Sequence, residues 1–121
     1  MRAVVIDEFG PFERAEFREV PDPSPKAAEI LVEIHATAAN FVDLLLIAGL
    51  HQSRPALPFI PGKGPAGFVR AVGSDVTGFS IGDRVVAMCE PGGGYPELIT
   101  VPATQCHPMP SSLPFVDAAS M

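Results

Sequence analysis

The chain has 121 residues, 47% of them hydrophobic and 18% charged, a balance that excludes a disordered polypeptide and fits one domain with a sizeable core. Its formal charge of −6 excludes the basic footprint that nucleic acid or an anionic membrane surface requires. Fourteen prolines and eleven glycines without a repeat predict many short elements joined by turns, and hence a mostly β domain.

Arg2 to Ile6 reads as a first strand, closed by the Gly10-Pro11 turn, and Ala15 to Val20 as a second, ended by Pro21-Asp22-Pro23. Asp7 and Glu8 arrive before any apolar run develops, so no signal peptide is expected. Glu29 to Ala36 alternates cleanly, with Ile30, Val32 and Ile34 on one face and Leu31, Glu33 and His35 on the other. The period then changes. Phe41, Leu44, Leu45 and Ala48 recur at helical spacing, with Asn40 placed to be the N-cap, Asp43 in the first turn and Gly49 as the stop. Val42, Leu46 and Ile47 fill the other faces, and a helix apolar all round is buried on more than one side. The β domain can cover one side; a second domain or another chain is expected on the other. The apolar stretch Phe41 to Leu50 contains Asp43 and is too short to span a bilayer.

Further along, a strand is expected over 68–72, then a turn at Gly73-Ser74-Asp75 and a hairpin-like return through Val76-Thr77-Gly78-Phe79. Asp83 to Cys89 is a strand, Gly92-Gly93-Gly94 a turn, Tyr95 to Val101 a strand, and Gln105 to Met109 a short one. Pro96 removes a ladder donor and marks an edge or bulge. Residues 113–121 begin a helix. Cys89 and Cys106 match no metal-ligand spacing, and a domain this size needs no disulfide between them; a reducing cytoplasm is the expected compartment.

Gly62-Lys63-Gly64-Pro65-Ala66-Gly67 spells G-x-G-x-x-G, the letters of a dinucleotide-binding turn. Such a turn works only between a strand and a helix, whose N-terminal N–H groups hold the pyrophosphate. Here Pro58 and Pro61 precede it, and the β-branched Phe68-Val69-Arg70-Ala71-Val72 follows. Asp83 lies at the spacing of a ribose-binding acid, but Gly82-Asp83 is turn chemistry. The flanks therefore predict a loop before a strand, with no cofactor held tightly by this chain alone.

Several stretches in order carry a resemblance: Met1-Arg2-Ala3-Val4-Val5, Val20-Pro21-Asp22-Pro23, Ala39-Asn40-Phe41-Val42-Asp43 and Leu57-Pro58-Phe59-Ile60-Pro61-Gly62. Ala66-Gly67-Phe68-Val69, Gly78-Phe79-Ser80-Ile81-Gly82-Asp83-Arg84-Val85, Gly92-Gly93-Gly94-Tyr95 and Ala118-Ala119-Ser120-Met121 follow. Together they resemble the N-terminal GroES-like domain of medium-chain dehydrogenases and reductases, in the zinc-independent quinone (or enone) oxidoreductase branch. The resemblance implies a mainly β fold, a GroES-like partly open β-barrel with one or two short helices. It also implies that residues 1–121 are a substrate-side domain, and that the Rossmann domain holding NADPH is absent from this chain.

In zinc-dependent members of that superfamily a Cys before the short helix and a His-Glu pair after the Pro-Gly hold metal. The matching positions here are Asn40, Lys63 and Gly64, an amide, an ammonium and a hydrogen, so no metal site is expected. Without zinc, the resemblance implies hydride transfer to a quinone or conjugated carbonyl, whose oxygen needs donors or a proton. The candidate catalytic residues are Asn40, His51 and Lys63. Asn40 is also the candidate contact to a cofactor, toward the nicotinamide ribose, beside its plain reading as an N-cap. His51 stands where relatives often have Tyr and reads equally as a loop histidine. Lys63 could stabilise an enolate or be a solvated lysine. Phe41, His51, Lys63 and Tyr95 are the expected cleft residues; Asp43 reads as a helix-start acid, and His35 and His107 as structural. Two functions follow: the substrate-side part of an NADPH-dependent quinone or enone reductase, inactive alone, or a stand-alone non-catalytic GroES-like module that binds a partner or dimerises.

Overall fold

Alternating apolar residues build the sheets of this chain, and the computed structural model describes residues 1–11, 13, 15–38, 41–50, 57, 60–62, 64–88 and 95–119, with the backbone alone at Val42. Among them, seven strands run in chain order: β1 Arg2–Val5, β2 Glu16–Glu19, β3 Glu29–Ala36, β4 Ala66–Val72, β5 Arg84–Ala87, β6 Leu98–Pro102 and β7 Cys106–Pro108. Two helices accompany them, α1 Phe41–Ala48 and α2 Phe115–Ala119. β1 and β2 pair antiparallel as one sheet; the others form a second in the order β6-β3-β4-β5-β7, antiparallel throughout. The sheets do not close on each other, so the molecule is a mainly β, partly open GroES-like barrel, as expected. No helix among the described residues is long and apolar enough to cross a membrane.

The alternation of β3 sends Ile30 and Val32 into the main core, where Val69, Val85, Ala87, Val101 and Cys106 meet them. Each fully buried Ile or Val there contributes about 1.5–3 kcal/mol. Burial pushes the Cys106 thiol up to about 11, so it stays protonated and inert at neutral pH. Cys89 lies outside the described residues.

Where the two sheets meet, the pairing is a single bridge between Ala3 and Pro96, backed by Glu97 N–H donating to the Arg2 carbonyl at 3.0 Å. Pro96 therefore sits at an irregular junction, as its missing donor requires. This junction also explains why β6 starts at Leu98 and not at Tyr95. The residues before Leu98 turn toward β1 and the loop at Pro61. The expected return through 76–79 forms no strand; Val76 and Phe79 pack instead onto the main core.

α1 has its expected limits. Gly49 adopts φ +74°, its N–H donates to Leu46 O at 3.2 Å, and the Leu50 N–H reaches Leu45 O at 3.0 Å, a Schellman stop. The buried side differs from the periodic face of Phe41, Leu44, Leu45 and Ala48. Leu46 and Ile47 enter a core with Ile6, Phe9 and Ala15, and Asp43 is buried beside them in sequence, while Phe41 is 74% exposed. Two polar donors facing Asp43 explain why the helix turns this side inward.

Candidate functional site

The site grows from the start of α1. Asp43, 2% exposed, receives the Gly62 N–H on Oδ1 at 3.2 Å, and the Tyr95 hydroxyl lies 2.9 Å from Oδ2. The same hydroxyl is 3.1 Å from the Ala38 carbonyl. A phenol has one proton, and the carboxylate is the stronger acceptor for it. The Tyr95 N–H donates to Pro61 O at 3.1 Å, and its carbonyl accepts the Val4 N–H at 3.3 Å. Gly62 holds φ +105°, a left-handed backbone that favours glycine, directly after the buried Pro61. Burial first, and then the Asp43 carboxylate, push the Tyr95 hydroxyl above its ordinary value. Tyr95 is therefore a neutral donor at physiological pH.

The G-x-G-x-x-G run serves this architecture. β4 begins at Ala66, so a strand follows the loop where a phosphate turn needs a helix. The Gly62 N–H is taken by a carboxylate, which would repel a phosphate. Gly67 lies within β4 opposite Ile34 and Val85, where an added Cβ would sit 1.9 Å from the Glu33 carbonyl oxygen.

Of the residues singled out from sequence, Asn40, His51 and Lys63 lie outside the described residues. Phe41 opens α1 with its side chain exposed, and Tyr95 is half-buried with its hydroxyl turned onto Asp43 in the first turn of that helix. Gly64 lies near the end of α2, its added Cβ 3.9 Å from Ala119 O. His35 stacks on Phe115 at 5.2 Å and meets the edge of Phe68 at 5.0 Å, and His107 lies exposed on β7. Sequence reasoning missed the joining role of Asp43. Its one signal was an acid within an otherwise apolar run.

Residues 26–111 match the alcohol dehydrogenase GroES-like domain. The chain belongs to that family. It is 34% identical to the quinone oxidoreductase of Rattus norvegicus over 122 residues, covering all of this chain and 37% of the rat protein. The fold superposes on the human synaptic vesicle membrane protein VAT-1 homolog-like protein with a TM-score of 0.95 at 31% identity, covering 100% of this chain and 39% of the other. The Escherichia coli quinone oxidoreductase complexed with NADPH gives 0.92 at 31% identity, over 98% and 36% of the two chains. The GroES-like chain thus spans about 37% of the length of the curated quinone oxidoreductase it resembles.

Proposed function

We propose that this GroES-like chain is the substrate-side domain of a zinc-independent, NADPH-dependent quinone or enone oxidoreductase, inactive without a Rossmann domain. The observation that carries the reading is the joined site, α1 start and Pro61–Gly62 loop, on a chain similar along its whole length to quinone oxidoreductases. A catalytic zinc does not fit: Asn40, Lys63 and Gly64 offer no thiolate, imidazole or carboxylate, and no step runs through a metal. The cofactor's phosphates do not fit the 62–67 loop either, so the partner domain must hold them.

NADPH, when bound by that domain, supplies the hydride for a quinone or for the β-carbon of a conjugated carbonyl. This chain's part is the other half of the chemistry. Asn40 offers an amide to the ribose or to the substrate oxygen. Lys63 offers a cation to the oxygen that gains charge, and His51 a proton or a hydrogen bond. Phe41 supplies an apolar wall, and Tyr95 backs the helix start. The reading keeps the chain in a reducing cytoplasm, with a small-molecule substrate and neither nucleic acid nor membrane as partner. Sequencing the coding region past residue 121 tests it. The frame should continue into a strand, a G-x-G-x-x-G turn and a helix, and the product should oxidise NADPH with a quinone. A frame without that turn, or a product without this oxidation, contradicts the reading.

One observation favours a second function. Phe41, Leu50 and Val116 are 74%, 75% and 70% exposed, which suits a stand-alone module that dimerises or caps a partner. Light scattering at high concentration distinguishes the two: such a module self-associates, and a strict monomer counts against it.

A further inference from the structure

Glu97 ties the two sheets together through its carboxylate, its N–H and its carbonyl. Oε1 accepts the Arg2 N–H at 2.5 Å and lies 3.4 Å from Arg2 Nε, although the two residues are 95 apart in sequence. The Glu97 N–H donates to the Arg2 carbonyl at 3.0 Å, and the Glu97 carbonyl accepts the Ile34 N–H of β3 at 2.9 Å. Both backbone groups of Arg2 are thus held by a single residue. The Ala3–Pro96 bridge and the Val4 N–H on Tyr95 O, at 3.3 Å, continue the seam. A groove of about 480 Å³ borders it, lined by Met1 and Asp22 beside the first sheet, by Glu33, His35 and Arg70 on the second, and by Glu97. Asp22 and Glu19 take the Met1 ammonium at 2.8 and 3.2 Å. Glu33 takes Arg70 at 2.6 Å, with His35 Nε2 3.1 Å from the same carboxylate. Glu97 faces Arg2.

We infer that Glu97 is an acid-sensitive latch between the two sheets: its charged carboxylate holds the start of β1 against the second sheet, and protonation of that carboxylate loosens it. A hydrogen bond from a backbone N–H to a carboxylate is roughly twice as strong as one to a neutral acceptor. The Arg2 N–H, aided by the Arg2 guanidinium, accordingly holds the Glu97 carboxyl below its ordinary value. A carboxyl lowered in the folded state stabilises the fold above its unfolded value of about 4.3, and that contribution is lost as pH falls through the lower, folded value. The two side chains are 59% and 50% exposed, so their ion pair adds little and the bond to the backbone carries the latch. Loosening stops at Ile6, which stays buried against Leu46 and Ile47. β2 moves with β1, because the Val20 N–H remains on Met1 O at 2.8 Å.

Amide exchange on the intact 121-residue chain tests the latch, with each rate taken relative to that of the unstructured chain at the same pH. Glu97→Gln keeps the shape of the carboxyl group without its charge, and Val4 protection should then fall about fivefold or more at neutral pH, the effect of one weakened charged hydrogen bond. Gly10, bonded to Ile47 O at 3.0 Å, and Val69, bonded to Asp83 O at 2.8 Å, should keep theirs. Unchanged protection at Val4, or an equal fall at Val69, overturns the latch. The unaltered chain supplies a second arm, which stands if the variant does not fold. On acidification its Arg2 amide resonance should move with a midpoint below about 4.3, and Val4 protection should fall with it while Val69 keeps its own. A midpoint at or above that value, or Val4 protection that does not follow Arg2, overturns the latch as well. Neither arm involves a cofactor or a substrate, so failure of the quinone reductase reading would leave both unchanged.

Discussion

At Gly67 the β4 backbone runs so close to β3 that a Cβ would lie 1.9 Å from the Glu33 carbonyl oxygen and 3.0 Å from Ile34 Cα. Neither obstacle is a flexible side-chain end, so Gly67→Ala must push two strands of the main sheet apart. The expected cost is about 3 kcal/mol or more, at the upper end for overpacking. Gly64→Ala, with its nearest atom 3.9 Å away, should stay within about 0.5 kcal/mol. Urea denaturation of the two variants checks this; equal midpoints would refute the close-approach account. These glycines look like one motif in the sequence because spacing is all that the sequence displays. Their reasons differ: Gly62 supplies a left-handed backbone, Gly67 a close crossing of strands, and Gly64 neither. Asp43 shows the same limit. A first-turn acid was legible, but its donors lie 19 and 52 residues away, where no local pattern reaches.

At the scale of elements, local periodicity served well wherever one strand or helix decides its own limits. β3 and α1 lie where the change from period 2 to period 3.6 puts them. It failed where another element competes for the backbone, as at Tyr95 to Glu97, which β1 and the Pro61 loop recruit before β6 begins. α2 is the clearest case of an element that depends on its neighbours. Five residues cannot hold a helix alone in water. Phe115 docks it, with the Arg84 guanidinium 4.0 Å from the ring centroid, His35 stacked at 5.2 Å and Phe68 edge-on at 5.0 Å. Arg84 also donates to the Leu113 carbonyl just ahead of the helix. Phe115→Ala should therefore release α2 as a unit. The Ala118 amide, now bonded to Pro114 O at 3.1 Å, should lose its exchange protection while Val69 keeps its own. Val116→Ser, at a side chain 70% exposed, should change neither. Retained protection at Ala118 in Phe115→Ala would show that the buried Ala118 and Ala119 suffice to dock the helix.

For the whole molecule, the sheets, the loop and the two helices form a GroES-like domain that spans about 37% of the length of the rat quinone oxidoreductase it matches. Phe41 and Leu44 on α1 and Val116 on α2 are among its exposed apolar side chains, while its polar joint is turned inward at Asp43. On the function proposed above, this domain offers a substrate a wall and some polar groups, while the 62–67 loop, its Gly62 N–H already taken by Asp43 and a strand following it, leaves the pyrophosphate to a partner domain. That division of labour is the central claim, and titration of the isolated chain with NADPH, followed by amide resonances and by quinone-dependent oxidation of the cofactor, tests it most directly. The account predicts no saturable binding at micromolar concentrations and no turnover. Micromolar affinity centred on Gly62 to Gly67, or turnover by the chain alone, would contradict it.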